Sequence, residues 1–196
     1  TLDGPFWSME GAFCTPKPQF GRPVLVNATG SADGIAHAAK HSDIVFITSP
    51  SGNQMENALE SLPPHTAEIR RVAGEAGRRV RTIINPMVVC RPAEKEAIAY
   101  RDAIVAAADD GAVEGFAAIT KGGDAVAWSG QKRQYRALGG NLHIVGSPEQ
   151  VVEQFRQLQQ AGCDGVQLTF YDFAPDLEYF GEAVLPLMKE AGLRLA

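Results

Sequence analysis

Short apolar runs alternate with helical patterns along most of this chain, and the alternation limits the folds open to it. Four runs have strand character and each is followed by a segment with helical spacing: 24–26, 43–48, 81–89 and 165–170. Parallel strands need long crossover connections, which are usually helices. The order therefore predicts a parallel α/β sheet, either an open doubly wound sheet or part of an eight-stranded barrel.

The helical segments differ in how clearly they begin and end. Ser147 and Pro148 give the clearest start, with serine as the cap, proline at the first helical position and Gln150 in the place that a capping box requires. Pro63 and Pro64 divide one long pattern, and Pro186 is expected to disturb the last helix. The spacing predicts helices over 32–40, 55–62, 65–76, 93–108, 147–162 and 175–191.

The first strand is followed by a turn of small residues that could bind an anion. Val24, Leu25 and Val26 read as a buried strand, and the chain then passes through Ala28-Thr29-Gly30-Ser31 into a helix. Gly30 lets a ligand approach the backbone closely, and the N–H groups of a first helical turn can bind a phosphate. The alternative is an ordinary strand-to-helix turn with Ser31 as the N-cap.

Two stretches lack clean periodicity. Residues 1–22 are punctuated by proline and glycine, so we expect a loop or short hairpin whose aromatic residues pack over a sheet. From 112 to 146 the pattern dissolves into glycines, cations and isolated aromatics. A stretch of this length inside a compact domain indicates either a functional lid or a disordered segment.

Composition excludes several classes of function. The net charge is −5 and no long basic run is present, so nucleic acid is not an expected partner. No apolar run is long enough to span a membrane and no signal pattern opens the sequence, which predicts a cytoplasmic protein. The three cysteines fit neither a disulfide framework nor a zinc spacing, and His37 with His41 lacks a third ligand, so no metal site is expected.

Three segments together resemble the second half of the bacterial luciferase-like flavin monooxygenases. They are C-T-P-K-P-Q-F-G-R-P-V-L-V-N-A-T-G-S-A-D-G, then I-V-G-S-P-E-Q-V-V-E-Q-F, and finally D-G-V-Q-L-T-F-Y-D-F-A-P-D-L-E-Y-F-G-E-A-V-L-P-L-M-K-E-A-G-L-R. The closing segment is most similar to the pyrimidine oxygenase and the alkanesulfonate and sulfone monooxygenase branch. The likeness runs from residue 16 to residue 194.

The resemblance implies a fold and a chemistry. Members are (β/α)8 barrels of the TIM type that hold reduced FMN, supplied by a separate flavin reductase, and use O2 to oxygenate a small organic substrate. Ser31 matches the serine that holds the FMN phosphate, with Gly30 and Thr29 beside it. The family more often has A-G-x-S where this chain has A-T-G-S.

Other candidate residues follow from the same resemblance. The stretch 112–146 matches an insertion before the last strand that acts as a lid, which makes Trp128, Lys132, Arg133 and Arg136 candidates for contact with substrate. Barrel enzymes place their chemistry at the carboxyl ends of strands. That rule adds five further positions: Asn27, Thr48, Ser49, Thr169 and Phe170. Packing is the preferred interpretation for Phe170 and Tyr171.

The chain matches only the C-terminal half of such a barrel, about four β/α units in one incomplete domain over 1–196. Half a barrel leaves unpaired sheet edges, so we expect a fragment or a chain that needs a partner, with a homo-oligomer at full length. Two other functions stay open: a non-catalytic half-barrel remnant or assembly module, and an F420-dependent oxidoreductase of the same superfamily.

Overall fold

A computed structural model describes residues 1–11, 15–120 and 133–194 of the chain. The strands are β1 (Leu2–Asp3), β2 (Ser8–Met9), β3 (Val26–Ala28), β4 (Ile44–Ile47), β5 (Arg81–Ile84), β6 (Pro86–Cys90), β7 (Leu142–Gly146) and β8 (Gly165–Val166). The helices are α1 (Ala32–His41), α2 (Met55–Glu75), α3 (Glu94–Ala107), α4 (Asp110–Thr120), α5 (Arg133–Ala137), α6 (Pro148–Gln160), α7 (Phe173–Tyr179) and α8 (Leu185–Glu190), with a π-helical turn (Phe180–Val184) between the last two.

The main sheet confirms the predicted parallel α/β arrangement. Its strands lie in the order β3-β4-β5-β8, which is also their order along the chain, and every pairing is parallel. Helices provide the crossovers between successive strands. The carboxyl ends of the strands therefore meet at one edge of the sheet, where the predicted turn after β3 lies.

A second parallel pair extends this sheet. Strand β6 follows β5 after Asn85 alone and pairs with β7, while Met87 of β6 bridges Thr169, which lies beyond β8. Pro86 takes the first position of β6, where its missing N–H interrupts the ladder least. The sequence run 81–89 is therefore one strand with a break at Asn85, as a proline near a strand end allows.

The hydrophobic core lies between the sheet and its helices. Val45, Ile47 and Ile84 are almost completely buried, and α1, α2 and α6 cover them with the side chains of a single cluster. Residues at alternate positions of the same strands point away from these helices. The sheet therefore has one packed face and one open face, which we call the inner face.

Helix α2 corrects the prediction of two helices separated by Pro63 and Pro64. It runs without a break from Met55 to Glu75, through both prolines. Its buried residues recur every three or four positions on either side of the prolines: Ala58, Leu62, Thr66, Ile69 and Ala73. Burial of this continuous stripe outweighs the loss of the backbone hydrogen bonds that the two prolines cannot donate. Local helix propensity does not take this burial into account.

The N-terminal region is less buried than the sequence indicated. The predicted buried run Val24–Val26 is exposed, with Val26 at 53% of its surface, because the described part of the sheet ends at β3 and the strand itself begins only at Val26. Strands β1 and β2 confirm the predicted hairpin. Its expected packing is wrong for Phe6, Trp7 and Phe20, which are largely exposed because a hairpin of two-residue strands covers little surface.

The stretch 112–146 contains more regular structure than its sequence pattern indicated. It includes most of α4, all of α5 and all of β7. The sequence does not predict β7, because this strand has only five residues and polar residues flank it. Pairing with β6 stabilises it in the tertiary structure. Residues 121–132 lie outside the described residues.

The C-terminal helices confirm their sequence signals. Ser147 Oγ accepts from the Gln150 N–H (3.5 Å), and Gln150 Oε1 accepts from the Ser147 N–H (2.9 Å), which is the predicted capping box. The helix expected over 175–191 loses its regular spacing at the π-helical turn, immediately before Pro186. Within the described ranges, no helix combines the length and apolar character needed to cross a membrane.

Candidate functional site

The turn after β3 is built around Ser31. Its Oγ accepts a hydrogen bond from the Gly34 N–H at 3.1 Å, so Ser31 is the N-cap of α1 as predicted. The Thr29 N–H donates to the carbonyl of Phe46 (3.4 Å), which fixes the turn beside the carboxyl end of β4. A β-carbon on Gly30 would meet no atom within 4 Å, so the backbone there is open to an approaching ligand.

The turn has the donors that a phosphate requires. The N–H groups of Ala32 and Asp33 have no acceptor within the helix, as at any helix start. The Ser31 hydroxyl accepts from Gly34 and still has its own O–H to donate. Asp33 is exposed in the same turn, and its carboxylate opposes an anion. The residues of this turn fit a phosphate. They would bind it through neutral N–H and O–H donors and not through lysine or arginine side chains.

A small cavity of about 60 Å³ lies at the same edge of the sheet. Its walls come from the ends of β4 and β5, from the turn that follows β4 and from the residues before β7: Phe46, Ile47, Thr48, Ser49, Gly52, Asn53, Ile84, Asn85, Gly140, Asn141 and Leu142. The polar side chains among these lining residues are hydroxyls and amides. Such groups can orient a neutral polar ligand by hydrogen bonds.

Asn53 lines this cavity and contacts His143, which lies next to the lining residue Leu142. The Asn53 amide nitrogen donates to the carbonyl of Gly139 at 2.8 Å and lies 3.3 Å from His143 Nε2. Burial lowers the pKa of His143 to about 4, while hydrogen bonds to the carbonyls of Gly139 and Leu138 act in the opposite direction. His143 is therefore neutral near pH 7, and its role here is to hold the loop before β7.

The predicted strand-end residues take different positions. Thr48 is exposed at the cavity, whereas Ser49 is buried against Ser61 of α2 (3.4 Å between hydroxyls). Thr169 Oγ1 lies 3.5 Å from the Asn85 amide nitrogen. Asn27 pairs in register with Val45, whose side chain faces the helices. The Asn27 side chain therefore points to the helical face of the sheet and not to the inner face.

The preference for packing is confirmed for Phe170. It is buried and makes edge-to-face contacts with Phe173 and Phe180. Tyr171 has a polar contact as well, since its hydroxyl donates to the carbonyl of Leu138 at 2.6 Å. Burial raises the pKa of Tyr171. Tyr171 and Asn53 thus hold successive residues of the same loop.

The lid candidates are only partly within the described residues. Trp128 and Lys132 lie outside them, and Arg133 is placed only as the first residue of α5. Arg136 pairs with Glu114 of α4 at 3.3 Å. The interpretation of 112–146 as a lid stays a prediction.

Sequence reasoning missed two residues that line the cavity, Asn53 and Asn85, and also missed His143, which contacts Asn53. Asn85 had a signal, because it immediately precedes the proline that interrupts a strand. His143 lies in a strand that was not predicted. Cys90 and Cys163 are free and buried, and burial raises the pKa of the Cys90 thiol to about 12. Among the described residues, no group of three or more metal-ligating side chains occurs.

The fold and the site define a class of protein. A parallel α/β sheet with an anion-suited turn and a polar cavity at its carboxyl edge is typical of enzymes that bind phosphorylated cofactors or substrates. The profile of the family described as luciferase-like monooxygenase matches residues 1–165. The chain therefore belongs to the luciferase-like monooxygenase family.

Individual relatives agree with this assignment. The chain is 29% identical over 200 residues to an FMNH2-dependent dimethylsulfone monooxygenase of Pseudomonas putida, a match that covers 97% of this chain and 53% of the relative. It is 29% identical over 192 residues to the pyrimidine monooxygenase RutA of Agrobacterium fabrum, covering 95% of this chain and 52% of RutA. The chain thus spans about half the length of the curated relatives it matches.

A solved structure supports the fold. The crystal structure of DmoA from Hyphomicrobium sulfonivorans superposes with a TM-score of 0.77 at 21% identity, covering 97% of this chain and 46% of that one. Both curated relatives are monooxygenases, and the dimethylsulfone monooxygenase is FMNH2-dependent, so the general kind of reaction carried out in this family is oxygenation.

Proposed function

We propose that this chain forms the C-terminal half of a (β/α)8 barrel that binds reduced FMN and uses O2 to oxygenate a small organic substrate. The reduced flavin would come from a separate flavin reductase, because the dimethylsulfone monooxygenase named above is FMNH2-dependent. The alternatives are a half-barrel without flavin and a relative that binds F420. Both alternatives differ from the proposal in what the turn at Ser31 binds.

The observation that carries the proposal is the position of that turn. Ser31 and Gly30 lie at the carboxyl edge of the parallel sheet, beside the end of β4, and the cavity walled by Asn53 and Asn85 opens at the same edge. In barrel enzymes this edge is the one that carries the chemistry. Membership of this family, together with the FMNH2 dependence of the related dimethylsulfone monooxygenase, makes FMN the best-supported phosphate ligand.

The residues of this chain would contribute binding and positioning. The Ser31 hydroxyl and the N–H groups of Ala32 and Asp33 would hold the phosphate. Thr48 and Asn85 present a hydroxyl and an amide at the cavity, where they can orient a polar group by hydrogen bonds. When bound, reduced FMN supplies the electrons for oxygen chemistry. Tyr171 and Asn53 fix the loop 138–141 over the cavity, and closure at this point would exclude water.

A pair of serine caps gives a sharp test. Ser31 and Ser147 are both N-caps whose Oγ accepts from a helix N–H, but only Ser31 lies at the proposed phosphate site. Ser31→Ala and Ser147→Ala should therefore lower stability by similar amounts. FMNH2 affinity, measured anaerobically by titration of the full-length protein that contains this chain, should fall about tenfold for Ser31→Ala alone.

Three outcomes decide between the functions. Equal FMNH2 affinities for the two variants would remove Ser31 from the phosphate site. Binding of F420 in preference to FMN would favour the oxidoreductase. Failure of the full-length protein to bind either cofactor would leave the non-catalytic half-barrel as the function.

A further inference from the structure

A cleft of about 780 Å³ lies at the amino-terminal edge of the main sheet. Its walls come from the C-terminal half of α2, from the residues that connect α2 to β5, and from the residues at or before the starts of β3, β4 and β8. The turn at Ser31 follows the carboxyl end of β3. Because the strands are parallel, the cleft and that turn are at opposite ends of the sheet.

Arginine side chains dominate the charge of this cleft. Six charged residues line it, four arginines and two aspartates: Arg70, Arg78, Arg79, Arg81, Asp43 and Asp164. The cleft therefore has two positive charges in excess. We call it the arginine cleft.

Both carboxylates of the arginine cleft are already engaged by other groups. Asp43 accepts two hydrogen bonds from the Arg22 guanidinium, at 2.6 and 2.7 Å. Asp164 accepts from the Thr82 N–H at 2.8 Å and pairs with Arg70 at 3.2 Å. These contacts fix the two carboxylates at the walls and leave the remaining arginines without a close acidic partner.

Three of the arginines lie within four consecutive residues and lack acceptors. Arg79 and Arg81 are exposed, and neither forms an ion pair with the residues that the structure describes. Arg78 donates to the Ser42 carbonyl at 2.9 Å and lies 3.6 Å from Asp43, but its buried Nε has no acceptor among the described residues. The segment 78–81 therefore offers more guanidinium donors than the surrounding protein accepts.

Phosphate groups match this surplus of donors. A guanidinium presents its N–H groups as a planar fork, which can hold two oxygens of one phosphate. The volume of the cleft is within the range of small-molecule sites and exceeds what a single phosphate fills. A β-carbon on Gly74 would meet no atom within 4 Å, so the wall formed by α2 is open to a ligand there. A ligand with two or more linked phosphates fits both the charge and the size.

We propose that the arginine cleft binds a small molecule that carries a diphosphate or triphosphate group, with Arg79 and Arg81 as its main contacts. Arg70 and Arg78 add positive charge on either side. This site is distinct from the phosphate site proposed at Ser31, and the proposal is independent of flavin binding.

Calorimetric titration of the full-length protein that contains this chain with inorganic pyrophosphate tests the proposal. Arg79→Gln and Arg81→Gln should each weaken binding about fivefold, because each removes one charge-assisted contact. The matched control is Arg71→Gln, which removes the same charge from an exposed arginine of α2. Arg71 pairs with Glu68 and Glu75 and does not line the cleft, so the affinity for pyrophosphate should not change.

Two further measurements locate the anion and test its specificity. Bound pyrophosphate should slow hydrogen exchange of the amides at 78–81, and Ser31→Ala should leave its affinity unchanged. Sulfate at the same ionic strength should bind at least about tenfold more weakly, because it has a single anionic group.

Several results would overturn the proposal. They are equal losses of affinity in Arg71→Gln and Arg79→Gln, equal affinities for sulfate and pyrophosphate, and protection at 31–34 instead of 78–81. Failure of the full-length protein to bind pyrophosphate would overturn it as well, since the cleft would then be closed by another part of that protein. The FMNH2 titration of Ser31→Ala succeeds or fails separately from these results.

Discussion

The side chain of Thr29 lies against Gly34, in the space that a β-carbon on Gly34 would occupy. Ser31 Oγ lies on the same glycine and accepts from its N–H. Two side chains of the turn therefore converge on one position of α1 that has to be glycine. The contact fixes how β3 passes into the helix and how the turn presents Gly30.

Gly34→Ala should destabilise the protein by about 2 kcal/mol, because the new methyl group overlaps Thr29 and the backbone must shift. The matched control is Gly30→Ala, where the same methyl group enters open space. Urea unfolding measures both free energies. A Gly34→Ala protein as stable as Gly30→Ala would contradict the packing described for this turn.

Tyr171→Phe should cost about 1 kcal/mol, because it removes the hydrogen bond to the Leu138 carbonyl and leaves that acceptor without the phenol. Tyr179→Phe is the control, since the Tyr179 hydroxyl makes no hydrogen bond to the residues that the structure describes. Hydrogen exchange of the amides at 138–141 should also speed up for Tyr171→Phe alone. Unchanged exchange there would show that Tyr171 does not hold this loop.

Acid should weaken the fold through His143. Burial lowers the pKa of His143 to about 4 in the folded state, below the ordinary value of 6.5. Between these pH values the unfolded chain binds a proton that the folded chain does not, so the free energy of unfolding decreases as the pH falls from about 6.5 to about 4. The loss is at most about 3 kcal/mol.

His143→Gln tests that prediction by urea unfolding at pH 7.5 and pH 4.5. The stability difference between the two pH values should shrink in His143→Gln. His37→Gln replaces an exposed histidine of α1 and should leave the difference unchanged. An identical pH dependence in all three proteins would assign the acid sensitivity to other groups.

Asp176→Asn should be strongly destabilising. Asp176 is only 7% exposed and pairs with Arg91 at 2.9 Å, and Arg91 also stacks on the ring of Tyr100 at 3.9 Å. Removal of one partner leaves a poorly hydrated guanidinium, at a cost of about 3 kcal/mol. Asp102→Asn, in an exposed pair with Arg101, should cost less than about 0.5 kcal/mol by the same unfolding measurement. Equal losses would contradict the burial of the first pair.

The sequence by itself determined the architecture and the helix starts. Four apolar runs separated by helical patterns are typical of parallel strands joined by helical crossovers, and the structure has this sheet. Ser31 and Ser147 were recognisable because a cap depends on the residue itself and on the next three positions. Such signals depend only on neighbouring residues, so they can be recognised from the sequence alone.

Only the tertiary structure decided the rest. Helix α2 continues through Pro63 and Pro64 because its buried stripe packs against the sheet, and β7 forms because β6 offers it a partner. Val26 is exposed because nothing in the described chain pairs beyond β3. Asn53 at the cavity contacts His143, a residue 90 positions away along the chain. Contacts at that separation depend on how the layers pack, which no local pattern of residues encodes.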